Sequence, residues 1–164
     1  MLKSYRVTVV DGATPLLEGV DTEPTLQVAA RDVPVLDALM SREPLFHRAG
    51  LGTTRTDFER MAAREFWEVG ASGRGYSRDY VLDSLVRRYR NPTFETWEVD
   101  GFHCLEITAD HYLVTYTLAQ GQRITRRATL WRRVDDDWQV VYHQGTIVGA
   151  EVQRERPAIS TKGP

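Results

Sequence analysis

The side chains in this sequence best suited to move a proton or hold a charge are four histidines, one glutamate and a group of arginines. His103, His111 and His143 fall in stretches of alternating polarity, and His47 lies near a helix end. Dehydration or ring opening needs a histidine or carboxylate pair converging on water or a leaving hydroxyl. His103 and His143 could form such a pair if their strands bring them together across a sheet. A hydrogen-bonded structural role is the plainer use of either, as for His143 between Tyr142 and Gln144. A Glu68 turned inward among Trp67, Trp97 and Trp131 would lose water, and desolvation is one route by which a carboxylate becomes a working base. At a sheet edge, paired with an arginine, it would only solvate the surface. Arg127 shares a strand face with Thr125, Thr129 and Trp131 by alternation. Facing inward, its planar fork would suit a ligand carboxylate, with Thr129 beside it to orient a substrate oxygen.

Other patterns point away from chemistry. No cluster has the ligand spacing of a zinc or iron site, so no metal and no other cofactor is expected. Gly70, Gly73 and Gly75 precede a helix, but their order is not Gly-x-Gly-x-x-Gly and no Gly-Lys-Ser/Thr follows, which leaves a hairpin-like turn. Alternation splits the arginines of 122–134, with Arg126 and Arg132 on one face and Arg123, Arg127 and Arg133 on the other, as in a solvated or salt-bridged sheet rather than a nucleic-acid surface. Cys104 alternates away from His103 and reads as a buried thiol.

The frame that must position these groups has 164 residues and 18.7 kDa, with 41% apolar, 27% charged and 10% aromatic residues and a net charge of -2. That is one domain of ordinary size, able to bury a core without staples. The near-neutral charge argues against nucleic acid or an acidic membrane surface as partner. No apolar run reaches the ~18–20 residues of a membrane span, and the N-terminus lacks a signal-peptide core. A single cysteine excludes an internal disulfide framework. A soluble cytoplasmic protein is the expectation.

Residues 1–31 read as a partly ordered extension in which Lys3 to Val10 alternates weakly, and the polar tail from Gln153 as frayed, leaving 32–150 as the domain. Asp32 can cap a helix with Pro34 in its first turn and Val35, Leu36, Leu39 and Met40 on one face. Pro44 must end or restart that helix, with Ser41 available to cap a restart. Thr54 and Asp57 approximate a capping box for a helix carrying Phe58 and Met61. Glu65 to Val69 is a short strand entering the glycine turn. Ser77 caps the clearest helix, with Val81, Leu82, Leu85, Val86 and Tyr89 as its stripe and Asn91-Pro92 as its stop. Beyond Phe94 the period changes to 2, with four strands near 94–107, 110–119, 122–134 and 137–149 in an antiparallel meander. In the last of these, alternation puts Trp138, Val140 and Tyr142 on one face. Helices followed by long antiparallel strands predict an α+β fold with helices on one sheet face.

This order, with the phrases Phe66-Trp67-Glu68-Val69-Gly70-Ala71-Ser72-Gly73, Arg127-Ala128-Thr129-Leu130-Trp131-Arg132-Arg133 and Tyr142-His143-Gln144-Gly145-Thr146, resembles the nuclear transport factor 2-like superfamily, in its SnoaL-like branch. The resemblance spans about 33–150. It implies a cystatin-like α+β cone: a curved antiparallel sheet against helices, an apolar pocket, and a homodimer formed through the sheet. The superfamily spans isomerases, cyclases, dehydratases, an epoxide hydrolase and non-catalytic association modules, so the fold alone selects no reaction. The ketosteroid isomerase constellation of an aspartate base, an oxyanion tyrosine and a protonated aspartate is missing. Glu68 is the carboxylate nearest the base position, Thr129 stands where the second acid would be, and no tyrosine occurs between Asp32 and Ala63.

Two functions follow from this reading. In one, the chain binds a small apolar oxygenated metabolite and works on it by cofactor-independent acid/base chemistry, with Glu68 as base, His103 or His143 as partner acid, Arg127 or Thr129 orienting an oxygen, and Trp67, Trp97 and Trp131 lining the pocket. In the other, it is a non-catalytic ligand-binding or dimeric association module.

Overall fold

The computed structural model describes residues 7–8, 16–17, 24–92 and 96–149. The rest of the expected N-terminal extension and the tail from Gln153 lie outside the described residues. Within the extension, β1 (Val7–Thr8) pairs antiparallel with β2 (Leu16–Leu17).

Helix α1 (Val33–Met40) carries Pro34 in its first turn, where a missing N–H costs nothing, and buries Leu39. Asp32 does not cap it. Residues 30–32 form a 3-10 turn, so Asp32 has helical backbone angles (φ -93°, ψ -7°) rather than the extended ones an N-cap requires. Its carboxylate is instead buried, 3.7 Å from Arg31 Nε. No helix restarts at Ser41, whose hydroxyl donates to the carbonyl of Ala38 at 2.7 Å. Helix α2 (Arg55–Met61) begins with the expected capping box: Thr54 Oγ1 accepts from the Asp57 amide, and the Asp57 carboxylate accepts from the Thr54 amide. Helix α3 (Arg78–Arg90) starts at the Ser77 cap. The Arg78 guanidinium donates to the carbonyls of Ala63 and Glu59, and Arg55 pairs with Asp79 and Asp83, which ties α2 to α3.

Six strands form the sheet: β3 (Ala62–Val69), β4 (Gly75–Ser77), β5 (Glu98–Thr108), β6 (His111–Gln120), β7 (Arg123–Val134) and β8 (Asp137–Ile147). Their spatial order is β4-β3-β8-β7-β6-β5. Strands β5 to β8 are the expected meander, turned at Asp110 and Asp135 in left-handed conformation (φ 61° and 53°), a region that Asn and Asp visit more readily than most residues. The sheet as a whole is mixed. Strand β8 pairs parallel with β3, correcting the all-antiparallel expectation. A parallel neighbour needs a long crossover, and here everything from β4 through β7 supplies it.

One register shift decides which residues face inward. Trp131 pairs with Val140, but Leu130 pairs with Tyr142, so Val141 is an extra residue, a bulge in β8. Before it Trp138 and Val140 are buried; after it His143 and Gly145 are. Tyr142 therefore leaves the face of Trp138 and Val140 and packs against Trp67 on the outer side, ring centroids 4.8 Å apart. The core between the curved sheet and the helices is built on Leu39, Phe58, Leu82, Val114, Leu118, Trp131 and Val140.

Candidate functional site

A cavity of about 440 Å³ opens between α3, the loop at 45–47, the β3–β4 hairpin and the inner face of β7 and β8. Its apolar wall is Leu45, Phe46, Val81 and Leu85. Its polar groups are His47, Glu68, Tyr76, Tyr80, Ser84, Arg88, Gln120, Arg123, Arg127 and His143. The volume falls within the range of small-molecule sites.

Parallel pairing sets Glu68 beside His143, and the bulge at Val141 turns His143 inward. Its Nδ1 lies 3.2 Å from Glu68 Oε2, and the imidazole is only 8% exposed. A carboxylate on Nδ1 selects the Nδ1–H tautomer, leaving Nε2 as the basic nitrogen. Arg127 enters from β7, its Nε donating to Thr125 Oγ1 at 2.9 Å. It stands opposite Gly145, where a Cβ would come within 3.0 Å of Nη1. The missing side chain at 145 is thus the space the guanidinium occupies. Gly70 plays a similar part for Tyr76, whose ring edge would lie 2.9 Å from a Cβ there. Tyr76 stacks on Tyr80 with ring centroids 5.1 Å apart.

Positive charge dominates the cavity. Among the described residues, Glu68 is the single carboxylate on a wall that carries Arg88, Arg123 and Arg127. Burial, followed by the charges of Arg88, Arg127 and His143, pushes His47 down to about 4, so it is a neutral imidazole at physiological pH. Burial, and next among the depressing influences Arg123, also holds Arg127 below the usual guanidinium value, though it remains charged. Arg88 spends one Nη2 bond, 2.9 Å long, on the carbonyl of Phe46.

Against this geometry the candidate residues separate. Glu68 and His143 meet, and Arg127 joins them on the cavity wall. His103 does not. It lies on edge strand β5, three strands from His143, with Nε2 3.2 Å from the carbonyl of Gln27. Trp67 is on the outer sheet face and 50% exposed, because it precedes Glu68 in a strand of period 2. Trp97 lies beneath the Arg48 guanidinium, 4.6 Å from it, and is not on the cavity wall. Trp131 is buried, and its indole N–H donates to Glu43 Oε1 at 3.1 Å. Thr129 is buried beside His143 in register, and its Oγ1 has no hydrogen-bond partner among the described residues. It too is not on the cavity wall.

Several wall residues were not read from the sequence as site residues. Val81, Ser84, Leu85 and Arg88 recur at helical spacing on one face of α3, so the visible signal was two polar residues interrupting an apolar stripe. Cys104 is buried and its thiol is pushed up to about 11, chiefly by burial, which makes it unreactive. No group of three or more potential metal ligands occurs among the described residues.

No protein-family model and no curated protein sequence matches the chain. Solved structures do. An NTF2-like protein from Cytophaga hutchinsonii aligns over 74% of this chain and 100% of its own, with TM-score 0.55 and 13% identity. An uncharacterised cystatin-like protein from Caulobacter vibrioides aligns over 77% and 94%, with TM-score 0.56 and 14% identity. An NTF2-like protein of unknown function in nutrient uptake from Rhodospirillum rubrum aligns over 72% and 99%, with TM-score 0.53 and 13% identity. The chain has the nuclear transport factor 2-like fold. At these identities the likeness is one of fold, and no helix among the described residues is long and apolar enough to cross a membrane.

Proposed function

We propose that the chain is a small-molecule pocket protein of the SnoaL-like kind, acting on an oxygenated metabolite by cofactor-independent acid/base chemistry in the cytoplasm. The observation that carries this reading is the Glu68–His143 pair on the wall of a ligand-sized cavity. The Nδ1 proton donates to Glu68, Nε2 takes a proton from the ligand, and the carboxylate stabilises the imidazolium that forms. Isomerisation returns that proton to a second carbon; dehydration delivers it to the departing hydroxyl, which leaves as water. Tyr76 and Ser84 supply hydroxyls along the same wall.

The test is deuterium exchange. A panel of small ketones, enones and hydroxy acids is incubated with the protein in D2O, and loss of ligand C–H signal is followed by NMR. Exchange in the native protein that falls roughly 10²–10⁴-fold in His143→Gln and clearly in Glu68→Gln is the expected result. Exchange unchanged in both variants overturns the assignment.

A second reading, a dimeric association module, is favoured by the outer sheet face. There Leu105, Leu113, Leu130, Tyr142 and Trp67 pair in register across five strands, forming one apolar row. Leu105 and Trp67 are 49% and 50% exposed, and a continuous apolar row on an exposed face suits a second copy of the chain.

A further inference from the structure

We infer that the cavity selects an organic acid, a ligand whose carboxylate docks on Arg127 with Arg88 and Arg123 at hand and whose apolar body lies against Phe46, Val81 and Leu85. The inference rests on the reading of the cavity as a ligand site and adds the chemical class of that ligand. Three guanidinium groups line the cavity, Arg123 and Arg127 from β7 and Arg88 from α3, against a single carboxylate among the described residues, and Glu68 is already engaged by His143. None of the three arginines forms an ion pair with a carboxylate of the described residues. Other arginines of the fold do meet carboxylates, Arg42 with Asp137, Arg55 with Glu59, Asp79 and Asp83, and Arg132 with Glu65, and Arg78 spends its donors on backbone carbonyls. Arg127 is half-buried with only the unbonded carboxylate charges of Glu68 and Glu43 acting on it, and the exposed Arg88 and Arg123 add further positive charge, so the site is short of negative charge. A carboxylate supplies it in the planar, two-oxygen form that a guanidinium fork matches.

Arg127 is the anchor because its position is built. Thr125 holds Nε, Gly145 leaves room for the guanidinium, and the Nη groups remain to bind the ligand. Neutral His47 adds a hydrogen-bonding edge without adding charge. The apolar residues on the opposite wall exclude a purely ionic guest and favour an acid with a hydrocarbon body.

The experiment is calorimetric titration of the full chain with phenylacetate, 3-phenylpropionate and hexanoate, each matched by its primary amide and by phenyl phosphate as a dianion. Carboxylates binding at least roughly tenfold more tightly than their amides, with Arg127→Met losing about 10–100-fold, is the expected result. The amide comparison uses unaltered protein, so it stands even if the variant fails to fold. Equal binding of acid and amide, or no binding of any acid, overturns the inference. Tighter binding of phenyl phosphate replaces the carboxylate with a phosphate ester and likewise overturns it. Acid binding without deuterium exchange would remove the catalytic reading and leave this one standing; exchange on neutral ketones alone would do the reverse.

Discussion

The indole N–H of Trp131 donates to Oε1 of Glu43 at 3.1 Å, and the hydroxyl of Tyr116 donates to Oε2 of the same carboxylate at 2.8 Å. Glu43 is fully buried, so a single side chain from the loop after α1 fixes β6 and β7 against that loop. Burial and the adjoining charge of Glu43 push the Tyr116 hydroxyl far above its ordinary value, which keeps it a permanent donor. Tyr116→Phe should cost about 1.5–3 kcal/mol, the value of a hydrogen bond to a charged group. Glu43→Leu should cost more, since it strands two buried donors. Urea unfolding of both variants reads the difference. Equal stability to the native chain would mean that neither bond contributes.

The Glu68 carboxylate should set the tautomer of His143. In the native protein, ¹⁵N shifts are expected to report a protonated Nδ1 and a free Nε2. In Glu68→Gln, whose amide can donate as well as accept, the two tautomers should mix. A mixed population already present in the native protein would show that the 3.2 Å contact does not order the ring.

Gly145→Ala should leave the fold nearly intact while weakening acid binding. The atoms a new Cβ would meet first are Nη1 and Cζ of Arg127, the far end of a flexible side chain. The stability loss should therefore fall below the ~1–3 kcal/mol of true core overpacking. Phenylacetate affinity should drop roughly tenfold as the guanidinium is displaced. Unaltered affinity would separate Arg127 from the ligand.

His47 should make the protein acid-sensitive. The unfolded residue takes a proton near its ordinary 6.5 and the folded one only near 4. A histidine with a depressed folded value costs nothing above 6.5, removes stability as pH falls through that window, and levels off below about 4. The loss amounts to about 3 kcal/mol. His47→Gln should flatten the stability profile between pH 6.5 and 4, measured by urea midpoints across that range. A bound carboxylate should also raise the His47 value, because it offsets the nearby guanidinium groups.

Leu113→Asp tests the outer face. Leu113 is the middle of the apolar row and pairs directly with Leu105 and Leu130. Sedimentation equilibrium should show a dimer in the native chain and a monomer in the variant, since a carboxylate buried at an interface is strongly unfavourable. A native monomer would remove the association reading.

The elements were largely legible. Thr54–Asp57 and Ser77 announced α2 and α3, and the change to a period of 2 beyond Phe94 announced the meander. What stayed hidden depended on non-local pairing. The parallel junction of β3 with β8 has no local signature, yet it brings Glu68 to His143. The bulge at Val141 is a single extra residue that alternation cannot see, and it reverses the facing of everything after it. Glu43 carries no signal in the sequence, because a buried carboxylate is recognised only by the donors around it. For His103 and Trp67 the residue type was suggestive and the location was not: one lies on the far edge strand and the other on the reverse face.

The parallel junction also governs the order in which the molecule can be assembled. β8 is the last strand of the sheet to leave the ribosome, yet it occupies an interior position between β3 and β7. Until it arrives, the β3–β4 hairpin keeps one edge unpaired, and a bare edge is a template for intermolecular pairing. The nascent chain must therefore carry that edge through synthesis of α3 and three further strands, a high-contact-order closure that slows folding. Chains interrupted before Asp137 should accumulate as aggregates rather than as soluble partial domains.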